Sequence, residues 1–257
     1  MEKIAKIIAL IVVVLVGIFL LFNFVFTETM EYYSAVSDNT VMAYVAFRDK
    51  YPESKYVESV NERKALLEEP YFEKKHAKNT IQSYEEFIHA FPADKYTSEA
   101  IRLRDSLLQV ELDIEKYGKN VLPQGTCPYE PYFGKNRESK AKYNSDVVVT
   151  APIAFDMVAV IREKDETGKV VAHAYVRADS TYTFKVDNGK YQLFFYIGKG
   201  WNPNKKMEDG VFGGFVRNET YSKDDPVYLA NEVITYQLSM KQKKKSYKPS
   251  SRYEVFR

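Results

Sequence analysis

Two stretches forty residues apart nearly repeat each other: NTVMAYVAFRDKYPESKY, from Asn39 to Tyr56, and NTIQSYEEFIHAFPADKY, from Asn79 to Tyr96. Asn39 aligns with Asn79, Thr40 with Thr80, Tyr44 with Tyr84, Phe47 with Phe87, Pro52 with Pro92, Lys55 with Lys95 and Tyr56 with Tyr96. Self-similarity at such a fixed period indicates stacked supersecondary units, each with an apolar side that a neighbour must cover.

The pattern inside the repeat is helical. Tyr84, Phe87, Ile88 and Phe91 fall at i, i+3, i+4 and i+7, and Tyr44, Phe47 and Tyr51 reproduce most of that stripe. Asn39 and Asn79 suit the left-handed position at which a helix stops, and Thr40 and Thr80 suit the N-cap of the next. Pro52 and Pro92 then end those helices, because the residue before proline is pushed out of the α region. Tyr96, Ala100, Leu103 and Leu107 mark one face of a following helix. In its Tyr-x-x-Phe, aromatic-Pro and later Tyr positions, the region 28–118 resembles the tetratricopeptide-like helical repeats of bacterial envelope proteins. Its period is longer than theirs, and the Trp-Leu-Gly signature is absent.

Ahead of the repeats, IIALIVVVLVGIFLLFNFVF (Ile7 to Phe26) carries no charge. About 20 such residues at ~1.5 Å each match a bilayer core of roughly 30 Å, so a transmembrane helix is expected there, in contact with membrane lipid. The run ends in FNFVFTETMEYY and lacks a small-x-small site, which favours an uncleaved anchor over a signal peptide. Lys3 and Lys6 precede it, placing the N-terminus in the cytoplasm and the later domains in the periplasm of a bacterial inner-membrane protein. No Gly or Pro lies between Gly17 and Pro52, so the helix is expected to continue to about Val36.

Charge excludes one class of partner. With 37 Lys and Arg against 35 Asp and Glu, nothing points to nucleic acid. Residues 241–257 hold seven bases and one acid, a basic tail that either stays solvated or touches an anionic surface.

The composition shifts at VLPQGTCPYEPYFGKN, residues 121–136, which reads as a linker or irregular cap. Beyond it the period becomes two, as in Tyr182, Phe184, Val186 and in Ile234, Tyr236, Leu238, Met240. Seven strands are expected, near 146–150, 155–163, 169–178, 181–186, 190–197, 211–217 and 232–240, with turns at DETG (Asp165 to Gly168) and at DNG (Asp187 to Gly189), the latter a hairpin. The fold class is then an N-terminal transmembrane helix, α-helical hairpin repeats and a C-terminal antiparallel β-sandwich. Its parts are residues 1–27 (cytoplasmic end and span), 28–118 (repeats), 119–145 (linker), 146–240 (sandwich) and 241–257 (tail). DSTYTFKVDNGKYQLFFY, residues 179–196, resembles the strand-turn-strand of carboxypeptidase regulatory-like, transthyretin-like domains, which implies a binding or spacer module. PYFGKN, HAYVRADSTYTF, GKGWNPNK and GGFVRNETYSKDD together are similar to a domain of uncharacterised Bacteroidetes envelope proteins.

Catalytic signals are sparse. Cys127 is the only cysteine, so no internal disulfide forms, and a Cys127 to His173 nucleophile pair lacks any surrounding motif. His173, between Ala172 and Ala174, reads as an exposed strand residue. Metal spacings and phosphate loops are missing, so no metal or cofactor is expected, and GVFGGFV has no following helix to receive a phosphate. YIGKGWNPNKK sets the only tryptophan, Trp201, among Lys199, Asn202 and Lys205. That loop either stacks on a sugar or grips an acidic group, or else Trp201 plugs the end of the sandwich and the lysines are simply solvated. The expectation is a membrane-anchored, non-enzymatic interaction or scaffold protein that binds a protein partner. The alternative is an envelope glycan- or peptide-binding module centred on Trp201, with a cryptic hydrolytic activity.

Overall fold

The computed structural model describes residues 2–137, 139, 144–238 and 247–256. The chain divides into two compact units, Met1–Gln109 and Val110–Arg257, the first helical and the second dominated by sheets.

The first helix, α1 (Glu2–Asp38), is unbroken through Gly17 and continues past Val36, in keeping with the lack of Gly and Pro after Gly17. Among the described residues, however, no helix is long and apolar enough to cross a membrane. The expected single-pass anchor over Ile7–Phe26, its lipid contact and the periplasmic placement that followed from it are therefore corrected.

α1 ends at Asn39, which is left-handed at φ 48°, and Thr40 caps α2 (Val41–Lys50) by accepting from the Ala43 N–H. Forty residues on, α4 (Glu68–Lys78) ends at Asn79, also at φ 48°, and Thr80 caps α5 (Ile81–Ala90) through the Ser83 N–H. The repeated Asn and Tyr are linked: the Tyr44 hydroxyl donates to Asn39 Oδ1 at 2.8 Å, and that of Tyr84 to Asn79 Oδ1 at 3.0 Å.

The copies diverge in their second helix. In the first, α3 (Val57–Ala65) stops and α4 begins three residues later; in the second, α6 (Thr97–Tyr117) runs through the equivalent positions. Pro70 stands where the second copy has Val110. A proline at 70 removes an N–H and crowds the carbonyl of Leu66, so the helix breaks there and is reinitiated. The first copy thus comprises three helices and the second a pair.

The two copies also meet electrostatically. The ammonium of Lys64 caps the Ala90 carbonyl at the end of α5 and sits 4.7 Å from the Phe91 ring centroid, and Arg48 reaches the His89 and Ala90 carbonyls at 3.4 Å. Positive charge belongs at a helix C-terminus, where carbonyls are left without partners. Burial, and then Arg48, lower the Lys64 pKa.

In the second unit the strands are β1 (Asn144–Thr150), β2 (Asp156–Glu163), β3 (Val170–Val176), β4 (Thr181–Asp187), β5 (Gly189–Lys206), β6 (Phe212–Lys223), β7 (Val227–Leu229), β8 (Val233–Gln237) and β9 (Lys248–Pro249). One sheet has the order β4-β1-β8, the other β3-β2-β5-β6-β9, with β7 on β5. Pairing is antiparallel except between β1 and β8, which run parallel with Val147 opposite Ile234. An all-antiparallel arrangement is corrected on that point. The DNG hairpin is corrected too: β4 pairs with β1 while β5 pairs with β2, β6 and β7, so the chain changes sheets at Asn188. Asn188 ties that crossing to Ser145 and Asn231 through its side chain. The DETG turn does join paired strands, β2 and β3.

Val147 and Val149 of β1, Phe184 and Val186 of β4 and Tyr236 of β8 share a core with Met157, Ala159, Ile161, Leu193 and Phe195 of the larger sheet. A second core covers that sheet's opposite face. There Val158, Val160, Tyr175, Phe194, Tyr196 and Phe215 pack against Tyr129, Val255 and Phe256. Tyr129 immediately precedes the short helix α7 (Glu130–Phe133), and the last two belong to α8 (Arg252–Phe256). Residues 121–136, read as a linker, and the described part of the basic tail, residues 247–256, are thus packed parts of the unit. Met240 and residues 241–246, the most basic stretch, lie outside the described residues.

Candidate functional site

Trp201 lies in β5, which continues through the expected loop to Lys206 by shifting register against β6 between Ile197 and Lys199 and again between Asn202 and Lys206. Such shifts absorb Gly198 and Pro203 without ending the strand. The Trp201 ring is only 3% exposed, with Phe215, Tyr175 and Tyr129 at centroid distances of 5.3, 5.7 and 5.8 Å. Its bed explains the GG of GVFGGFV. Gly213 has φ +106°, and a Cβ there would come within 2.8 Å of the indole.

The other candidates around Trp201 are largely committed. Asn202, 4% exposed, donates to Asp113 Oδ2 at 3.0 Å and accepts from the Asn204 N–H at 2.9 Å. Lys205 donates to the Phe215 carbonyl at 2.6 Å and pairs with Glu219 at 2.5 Å. Among the described residues Lys199 alone of these has no hydrogen bond through its ammonium, which lies 5.0 Å from the Phe155 ring centroid. No stacking face is open at the tryptophan.

Cys127 and His173 do come together, but not as a nucleophile and its base. Cys127 Sγ lies 3.2 Å from the His173 backbone carbonyl, while His173 Nε2 accepts the Tyr129 N–H at 3.1 Å. With Nε2 accepting, the neutral imidazole carries its proton on Nδ1. Burial lowers the His173 pKa from 6.5 to about 4, and burial with Glu130 nearby raises that of Cys127. Thiol and imidazole are both held neutral, opposite to what an activated pair needs. His173, expected to be exposed, is wholly buried because its face of β3 looks into the second core.

These residues instead seal the outer edge of β3. Arg137 N–H donates to the Val171 carbonyl, and Asn136 accepts from the His173 N–H at 2.9 Å and donates to its carbonyl at 3.0 Å. Gly125 and Thr126 exchange hydrogen bonds with Tyr175, and Gln124 accepts from the Arg177 N–H. An edge strand left open invites pairing with another chain.

A polar concavity of about 260 Å³ lies beside Gly200. Lys119, Arg177 and Lys199 surround it, and Asp156, 7% exposed, is in its wall. Asp156 Oδ1 accepts from the Ala178 N–H at 2.8 Å. Behind it the Tyr175 hydroxyl is buried near Asp156 without a hydrogen bond of normal geometry; burial, and then Asp156, raise its pKa far above the tyrosine range. Of the four only Lys199 was singled out from the sequence. Lys119, Asp156 and Arg177 are dispersed along the chain and share no motif. Among the described residues there is no cluster of three or more His, Cys, Asp or Glu side chains suited to a metal ion.

Compared with known proteins, the chain matches no family model, no curated protein and no solved structure.

Proposed function

We propose that this chain is a non-enzymatic interaction protein whose helical unit presents a repeat surface to a protein partner. The observation that carries this reading is the recurrence, after forty residues, of the left-handed Asn, the Thr cap and the Tyr–Asn hydrogen bond, with Lys64 and Arg48 joining one copy to the next. Stacked units of this kind extend a surface by adding copies and bind along it. We read them as tetratricopeptide-like, and the two sheets with their shared core as a β-sandwich of the carboxypeptidase regulatory-like kind, acting as a second binding or spacer module. Support for a non-catalytic role comes from Cys127 and His173, whose hydrogen bonds serve the closing of an edge. A glycan platform at Trp201 is not favoured, because the ring is enclosed.

Site-specific photo-crosslinking tests the proposal. Probes replacing Met42 and Leu66, exposed at 58% and 83%, are expected to give one discrete protein adduct in cells. A probe at Tyr228 on β7 is expected to give none of it. If the helical positions yield no adduct, or only the same smear as Tyr228, the repeat surface is not the binding surface.

A further inference from the structure

We infer that the recess beside Gly200 is a binding site for a phosphate monoester carrying a neighbouring hydroxyl. Three cations from three separate parts of the unit converge on it: Lys119 after α6, Arg177 after β3 and Lys199 within β5. Elsewhere in the same unit Arg137, Lys205, Lys223, Lys248 and Arg252 each pair with a carboxylate. At the recess none of the three side chains has an ion pair or hydrogen bond among the described residues. The one carboxylate in the wall, Asp156, leaves a surplus of two positive charges. An anion with more than one charge balances that surplus.

The shape narrows the ligand further. Gly200 has φ +69°, and a Cβ there would meet the Tyr117 carbonyl at 2.6 Å and the Gly118 Cα at 2.7 Å, so two glycine backbones, at 118 and 200, pack directly together at the rim of the recess. A planar guanidinium and two ammonium groups around a small hollow match the several oxygens of a phosphate group. Asp156 would repel an isolated oxyanion. Its Oδ1 accepts from Ala178 and the buried Tyr175 hydroxyl lies beside the carboxylate, and a carboxylate has lone pairs left to accept a hydrogen bond from a ligand hydroxyl. A cavity of about 260 Å³ holds a head group and leaves the rest of a ligand outside.

Titration calorimetry on the full chain at fixed ionic strength, with glycerol phosphate, inorganic sulfate and glycerol, tests this. Saturable one-to-one binding of glycerol phosphate is expected, with sulfate weaker and glycerol absent. Lys199→Ala and Arg177→Ala should each weaken it about tenfold, the scale of one charged hydrogen bond, and Lys190→Ala, on a distant part of β5, should not. Unchanged circular dichroism of each variant establishes that the fold persists. The inference is overturned if no saturable binding occurs, if all three variants behave alike, or if sulfate binds as tightly as glycerol phosphate, since the last removes the role given to Asp156.

Discussion

Protonating His173 puts a charge beside Tyr129 and Phe133, in a space closed to water. Its folded pKa of about 4 lies below the ordinary 6.5, so between these values the unfolded chain binds a proton that the folded chain does not. Stability is therefore complete above pH 6.5 and is lost progressively as pH falls towards 4, by about 3 kcal/mol in all. Urea denaturation between pH 7 and 4 should show that loss, and His173→Gln should flatten it. A second prediction separates the two repeats. Tyr44 has Asn39 as its hydroxyl partner, whereas Tyr84 has both Asn79 and His76 Nδ1 at 2.9 Å. Asn39→Ala, which combines left-handed strain with a stranded buried hydroxyl, should cost about 2–3 kcal/mol and Asn79→Ala about 1–2 kcal/mol, read as shifts in helical unfolding. The caps and the left-handed asparagines were legible because they are local. The burial of His173 was not, because Ala172 and Ala174 suggested alternation while nothing in the sequence near them announces the layer that covers the other face.

Pro70 and Val110 decide whether a helix stops or continues at the same point of the repeat. Val110→Pro should break α6 near Ser106 and Leu107, costing about 3 kcal/mol and lowering the circular dichroism at 222 nm. The short α8 carries more than its length implies. Phe256 is 2% exposed against Tyr129, Tyr196 and Tyr221, so Phe256→Ala should destabilise the sheet unit by about 3–5 kcal/mol in thermal or urea unfolding. The strand positions were readable from period-two runs and turn residues. The DNG signal misled because a turn sequence reports a local bend and not which strands pair across it; the partners of β4 and β5 lie far away in sequence. A better clue was present in MVAVI and LFFYI, unbroken apolar runs of the kind that strands buried on both faces require.

The two units have separate cores, and each carries its own signal. Trp201, the only tryptophan, reports on the sheets, while far-ultraviolet circular dichroism is dominated by the helices. Phe87→Ala, in the core between the repeats, should move the dichroism midpoint in urea and leave the fluorescence midpoint in place. A shift of both by the same amount would mean a single cooperative whole. The order of helices before strands was legible from the change of period. The long-range closure of the sheets was not, since no local pattern marks which strand lies beside β1. That closure has a consequence for timing. Asp146 of β1 pairs with Val233 of β8, so during synthesis the first strand emerges roughly 90 residues before its parallel neighbour exists. At about 5–20 residues per second, that leaves it on the order of ten seconds without the neighbour, long enough for chaperones to engage the nascent chain.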